Sequence, residues 1–181
     1  MAAVAGRWGE VRELTSRAEE AVEANADTPC VFNVGSLLNA ALASACLGDD
    51  LESRRLEAKA DAIGMEGFRQ WLYPPRIRLA VTRNDLDEVR RLVDGIGPDD
   101  LLPWAYETPA AMFDALVVLG DRKAIEACAP EWLRPNTYVE PFALRALGFA
   151  RVDESMLRAA AKRFDEMELG WFAGETRALL A

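Results

Sequence analysis

Apolar positions along this chain recur with the period of an α-helix, in segments separated by short polar turns. The clearest stretch is Val34 to Gly64. Leu37, Leu38, Ala41, Leu42, Ala45 and Cys46 cover one broad face over 36–47, a helical spacing. Gly48-Asp49-Asp50 interrupts it: glycine is suited to a left-handed helix stop, and Asp49 with Glu52 reads as a capping box. A second helix over 51–63 carries a narrower stripe of Leu56, Ala60 and Ile63. Such a hairpin cannot bury both faces by itself and requires neighbours.

The rest of the chain supplies them. Trp8, Val11, Leu14, Ala18, Ala21 and Val22 predict one helix over 8–23, ended before Pro29. An irregular aromatic passage over 65–75 closes at Pro74-Pro75, and those prolines start a two-turn helix over 76–82. Asn84 or Asp85 then caps a helix marked by Leu86, Val89, Leu92 and Val93. A second irregular passage over 99–107 precedes Thr108-Pro109, an N-cap followed by proline at the first helical position. That helix stops at Gly120-Asp121, and another runs from Arg122 to Cys128 before Pro130. Thr137 and Glu140 form a further capping-box pattern ahead of Phe142, Leu144, Leu147 and Phe149. After Arg151-Val152-Asp153, amphipathic helices over 153–168 and 171–180 complete the pattern. No alternating run of β-branched residues persists long enough for a strand, so the expected class is all-α, with about ten helices in one domain over 1–181.

The turns themselves repeat. Gly48-Asp49, Arg83-Asn84, Gly120-Asp121 and Val152-Asp153 lie about 35 residues apart, near the period of about 34 that marks tetratricopeptide repeats. The repeat's small-residue positions fit best in the first hairpin, at Ala41, Ser53 and Ala60; Arg76 and Glu88 occupy corresponding positions in the next. The expectation is a degenerate, tetratricopeptide-like right-handed α-solenoid, a helical hairpin array.

Composition narrows the chemistry. The 181 residues carry a formal charge of -9 and no histidine. An acidic chain is unsuited to non-specific nucleic-acid binding or to an anionic membrane surface. The absence of histidine removes Ser-His-Asp and Cys-His constellations and most zinc sites, since histidine is the commonest general base and metal ligand. No catalytic, cofactor or metal residue is therefore assigned. A carboxylate enzyme would require a cleft with converging carboxylates, for which Asp114 and Glu140 are named as candidates. Cys30, Cys46 and Cys128 are odd in number and widely spaced, which suits reduced thiols. With no signal-peptide core and no apolar run approaching ~20 residues, the expected location is cytoplasmic. Asp49-Asp50 superficially matches an aspartate-rich Mg²⁺ motif but reads as helix capping, and the charges over 52–59 read as a solvated helix face.

The segment 145–157, continued by 163–167 and 176–180, resembles the helical-repeat regions that close large actinobacterial signalling ATPases attached to nucleotide-cyclase or LuxR-type regulator modules. Thr28-Pro29-Cys30-Val31 and the Leu47-Gly48-Asp49-Asp50 turn resemble them too, whereas Val152 stands where such sequences have glycine. The resemblance implies a protein-interaction or sensory scaffold of a bacterial signalling or regulatory system. It carries over no ATPase or cyclase chemistry, because the chain has no G-x-x-x-x-G-K-[ST] phosphate loop.

Candidate partner-binding residues are the aromatics in the connections and the arginines beside them: Arg54, Arg55, Trp71, Tyr73, Arg76, Arg78, Trp104 and Tyr106. Aromatic and arginine side chains dominate binding hot spots. The same aromatics, with Trp132 and Tyr138, could equally plug gaps between hairpins. The expected partner is a protein or peptide; a small-ligand regulatory domain with a pocket between hairpins is the alternative. In repeat phase, Gly6-Arg7-Trp8 occupies a mid-hairpin turn, so the face of Trp8, Val11 and Leu14 is expected to pack on an upstream segment, a second copy, or the helix over 36–47.

Overall fold

A computed structural model of the chain describes residues 2–65, 68–97, 100–101 and 106–181. It is all-helical, with no strand among the described residues. The α-helices are α1 (Trp8–Glu13), α2 (Thr15–Ala24), α3 (Val31–Cys46), α4 (Asp50–Asp61), α5 (Arg69–Thr82) and α6 (Leu86–Asp94). They continue with α7 (Glu107–Leu119), α8 (Arg122–Cys128), α9 (Glu140–Arg151), α10 (Glu154–Glu166) and α11 (Gly170–Ala178), and a short 3₁₀ turn (Ala129–Trp132) follows α8.

Four hairpins, α3–α4, α5–α6, α7–α8 and α9–α10, share one hinge. A residue at positive φ stands at Gly48, Asn84, Gly120 and Val152. The next residue is always aspartate, whose amide donates back across the helix end: Asp49 to Ser44 at 2.8 Å, Asp85 to Ala80 at 3.0 Å, Asp121 to Leu116 at 3.1 Å and Asp153 to Gly148 at 2.8 Å. This is the left-handed helix stop that satisfies a last-turn carbonyl. Each aspartate side chain then caps the following helix, accepting from the N–H of Glu52, Glu88, Ala124 and Met156. Stop and start are thus encoded in two adjacent residues. The site-like Asp49 is a cap, as the sequence indicated.

Within each hairpin the two helices pack together, and the first helices also pack on one another in series: α3 on α5, α5 on α7, α7 on α9. Close approach needs small residues. Ala41, Ser53 and Ala60 are all buried, and a Cβ on Gly148 would stand 3.0 Å from Leu157 of α10. Three apolar clusters follow the series. Leu37, Leu38, Leu42 and Leu56 centre the first, Ile77, Val89 and Leu92 the second, and Phe113, Phe142, Leu147, Phe164 and Phe172 the third.

Several local expectations are corrected. The helix over 8–23 is two helices, broken at Leu14, whose amide bonds Val11 at i−3 spacing and tightens the turn. The break lets Trp8 and Val11 bury while Leu14 stays 47% exposed. Helix α3 begins at Val31 rather than Ser36; Val31 and Val34 extend its apolar face by one turn, which also exposes Phe32. Helix α5 begins at Arg69, not at the prolines, so Pro74 and Pro75 sit inside it. They forfeit two backbone bonds, and the burial of Leu72, Tyr73 and Ile77 outweighs that loss. Helix α7 starts at Glu107, which places Thr108 inside it as a buried residue, not as the cap. The box at 137–140 does not close either: Thr137 Oγ1 donates to the Arg134 carbonyl, and Glu140 accepts from the amide of Asn136. The passage over 99–107, including Trp104, lies mostly outside the described residues.

The charges over 52–59 are not simply solvated. Arg55 forks onto Glu19 through two 2.9 Å bonds, and Lys59 reaches Glu19 at 2.9 Å and Glu23 at 3.1 Å, locking α4 to α2. Arg55 and Lys59 hold the Glu19 carboxyl down at about 2. No helix is long and apolar enough to cross a membrane among the described residues.

Candidate functional site: a charged cavity inside the helix row

The eight residues singled out for partner binding do not converge. Arg54 and Arg55 are exposed on α4, the latter occupied by Glu19 and Glu52. Trp71 is 45% exposed and meets Phe32 edge-on at 5.6 Å. Tyr73 is buried in the second apolar cluster. Arg76 pairs with Asp61 at 2.5 Å. Tyr106 packs edge-on against Tyr138 at 5.3 Å. Trp104 lies outside the described residues. Among the described ones, Arg78 is the charged residue that is buried.

Arg78 belongs to a buried cluster. Arg78 Nε donates to Asp114 Oδ2 at 3.2 Å, and Arg145 Nη2 donates to Asp114 Oδ1. All three are under a tenth exposed. Leu42, Arg78 and Asp114 occupy one register of successive hairpins, at 42, 78 and 114 against left-handed turns at 48, 84 and 120. Arg145 comes from the next hairpin, shifted by one position against its turn at 152. Three of these side chains, from successive hairpins, meet one another.

Aromatic faces complete the cluster. Arg78 lies 5.5 Å from the Phe142 ring centroid and 4.9 Å from that of Phe172. Arg145 is 5.4 Å from both Phe142 and Phe164. A guanidinium over an aromatic ring is attracted by the ring quadrupole, which offsets part of its lost hydration. Burial works against the charge of Arg78, but Tyr138 and Asp114 hold it above its ordinary pKa. Burial raises the Tyr138 hydroxyl and the Glu107 carboxyl above theirs, with Arg78 opposing in both cases. The Tyr138 hydroxyl also donates to the Val4 carbonyl at 3.1 Å. That bond ties the N-terminal segment to the interior.

The segment is fixed at a second point. Gly6 has φ +69°, and a Cβ there would come within 2.7 Å of Trp171 Cβ. Trp8 meets Trp171 edge-on at 6.0 Å. Trp8 and Val11 are thus buried within the chain, against α3 and α11, while Leu14 faces outward.

These elements surround a partly enclosed cavity of about 390 Å³. Arg78, Asp114 and Arg145 line it, with Trp8, Leu42, Ala45, Val81, Val117, Phe172 and the exposed Glu175. Cys46 and Thr82 also reach it, Sγ to Oγ1 at 3.8 Å, and burial pushes the Cys46 thiol up to about 11. A thiol held protonated at neutral pH is a poor nucleophile. Asp114 is committed to two arginines, and Glu140 pairs instead with Arg163 at 3.1 Å. Among the described residues, no three Cys, Asp or Glu side chains are grouped to hold a metal.

Of the charged residues that meet at the cavity, Arg78 and Asp114 were named from sequence, for partner binding and for a carboxylate enzyme, and Arg145 was not singled out. The signal was present: charged side chains at 78, 114 and 145 interrupt otherwise apolar helix faces in a repeating register. No protein-family model, no curated protein and no solved structure matches the chain.

Proposed function

We propose that this chain is a non-catalytic sensory module built as a degenerate tetratricopeptide-like helical array, and that it recognises a small molecule inside the row of first helices. The observation that carries this reading is the cavity at Arg78, Asp114 and Arg145, with apolar walls from α3, α5, α7 and α11. Ligand sites have this character: concave, mostly apolar, with a few placed polar groups. The repeated left-handed stop and aspartate cap support the array. A role in a bacterial signalling or regulatory system is what the sequence resemblance contributes.

Native mass spectrometry of protein purified without denaturation tests the reading. The expected result is a retained small-molecule mass that disappears in the cavity-filling variant Val117→Trp. A folded wild type with no ligand mass, and none acquired from a metabolite extract, contradicts it.

A second reading, a protein- or peptide-interaction scaffold, is favoured by the exposed Phe32–Trp71 pair, whose side chains are 64% and 45% accessible. A protein mass retained by the wild type and lost in Phe32→Ala/Trp71→Ala would select it over the first.

A further inference from the structure

We infer that the cavity takes a monoanion with an apolar body, an organic carboxylate, and that its head group is recognised by Arg145, Arg78 and Trp8. The inference rests on the reading of this cavity as a ligand site and specifies the chemistry of what enters it.

Charge is the first argument. The buried cluster holds two guanidiniums against one carboxylate in contact, Asp114, and Glu107 is a second, partly buried carboxyl whose field reaches Arg78. Glu175, which also lines the cavity, is exposed and keeps its hydration. The two guanidiniums share a single carboxylate in contact, and a bound monoanion supplies the second direct partner.

Donors are the second argument. Trp8 Nε1 and Arg145 Nε are both buried, and neither finds an acceptor among the described residues. Trp8 is 4% exposed and Arg145 is 5% exposed, and both line the cavity. Indole and guanidinium nitrogens only donate, so each calls for an acceptor atom. A carboxylate offers about four lone-pair sites in one plane, a match for a guanidinium edge and an indole N–H. An ammonium or an alkane could satisfy neither.

The walls set the remainder of the molecule. Leu42, Ala45, Val81, Val117, Phe172 and Leu179 present hydrocarbon, and about 390 Å³ accommodates a short chain or a single ring behind the head group. A highly charged di- or triphosphate does not fit that surface: Asp114 already engages both guanidiniums, and Glu107 and Glu175 oppose a high negative charge.

The test is a titration of intrinsic tryptophan fluorescence, checked by calorimetry, with octanoate, octan-1-ol and octylamine. Octanoate is expected to saturate and to perturb Trp8, with octanol at least about tenfold weaker and octylamine without effect. Trp8→Phe keeps an aromatic ring but deletes the N–H; read by calorimetry, it should weaken octanoate about tenfold while leaving octanol unchanged. Arg145→Met should abolish the preference for octanoate over octanol. Because that variant disturbs a buried ion pair, the exposed Glu175→Gln serves as the companion, and should tighten octanoate alone. Equal binding of octanoate and octanol, or octanoate binding indifferent to both Trp8→Phe and Glu175→Gln, overturns the carboxylate assignment and leaves the ligand site standing. No binding of any of the three by folded wild type overturns both.

Discussion

At the scale of single residues, Val152 and Asp114 each strain a local rule for a different reason. Val152 is a β-branched residue at φ 55° and ψ 40°, 71% exposed, where the other hairpins use glycine or asparagine. The left-handed region costs an L-residue roughly 1–2 kcal/mol, and glycine gives back up to about 1 kcal/mol in unfolded-chain entropy. Val152→Gly should therefore stabilise the protein by about 0.5–1 kcal/mol in urea unfolding. Asn84→Gly should stay within about 0.5 kcal/mol of zero, because asparagine tolerates that conformation. Asp114 balances two buried arginines from neighbouring hairpins. Asp114→Asn removes the balancing charge but keeps the shape, and should cost roughly 3–5 kcal/mol by the same assay, since it leaves two guanidiniums buried against each other. A loss under about 1 kcal/mol would mean that the cluster is hydrated and not an element of the core.

Among elements, the pairing of α2 with α4 has a defined pH dependence. Glu19 titrates near 2 in the folded chain against an ordinary 4.5, because Arg55 and Lys59 favour its carboxylate. A folded pKa below the unfolded one contributes stability that is complete above about pH 4.5 and is lost as pH falls towards 2. Glu19→Gln should flatten the thermal-midpoint profile between about pH 5 and pH 2 and lower the midpoint slightly at pH 7. The partly exposed geometry keeps the effect small. This lock was invisible in sequence, since Glu19 and Arg55 lie in different helices and only tertiary packing brings them together. The hinges were legible because stop and cap are local: Gly48-Asp49 and Gly120-Asp121 declare themselves in two letters. Helix starts dominated by packing were not. Pro74-Pro75 reads as a boundary, yet the burial of Leu72 and Tyr73 carries α5 through it. Leu14 looks continuous with Trp8 and Val11, yet α1 turns so that those two bury.

For the whole molecule, α3, α5, α7 and α9 contribute side chains to one cavity, and α1, α11 and the segment before Trp8 close around it. The cavity is therefore lined by several hairpins together rather than by any one. That explains why the candidates chosen from sequence do not converge: Arg54, Arg55, Trp71, Arg76 and Tyr106 do not line the cavity, and Tyr73 is buried in the second apolar cluster. Arg78 was the exception, because it lines the cavity. The two buried arginines sit inside a molecule whose formal charge is -9, so the net charge says nothing about what the interior accepts. The most direct measurement is amide hydrogen exchange, comparing ligand-free protein with protein saturated with octanoate. The account predicts protection concentrated in α5, α7, α9 and α11 and in the N-terminal segment up to Trp8, with α4 and α8 unchanged. Protection confined to the start of α3 and the residues around Trp71, or none anywhere at saturation, would contradict it.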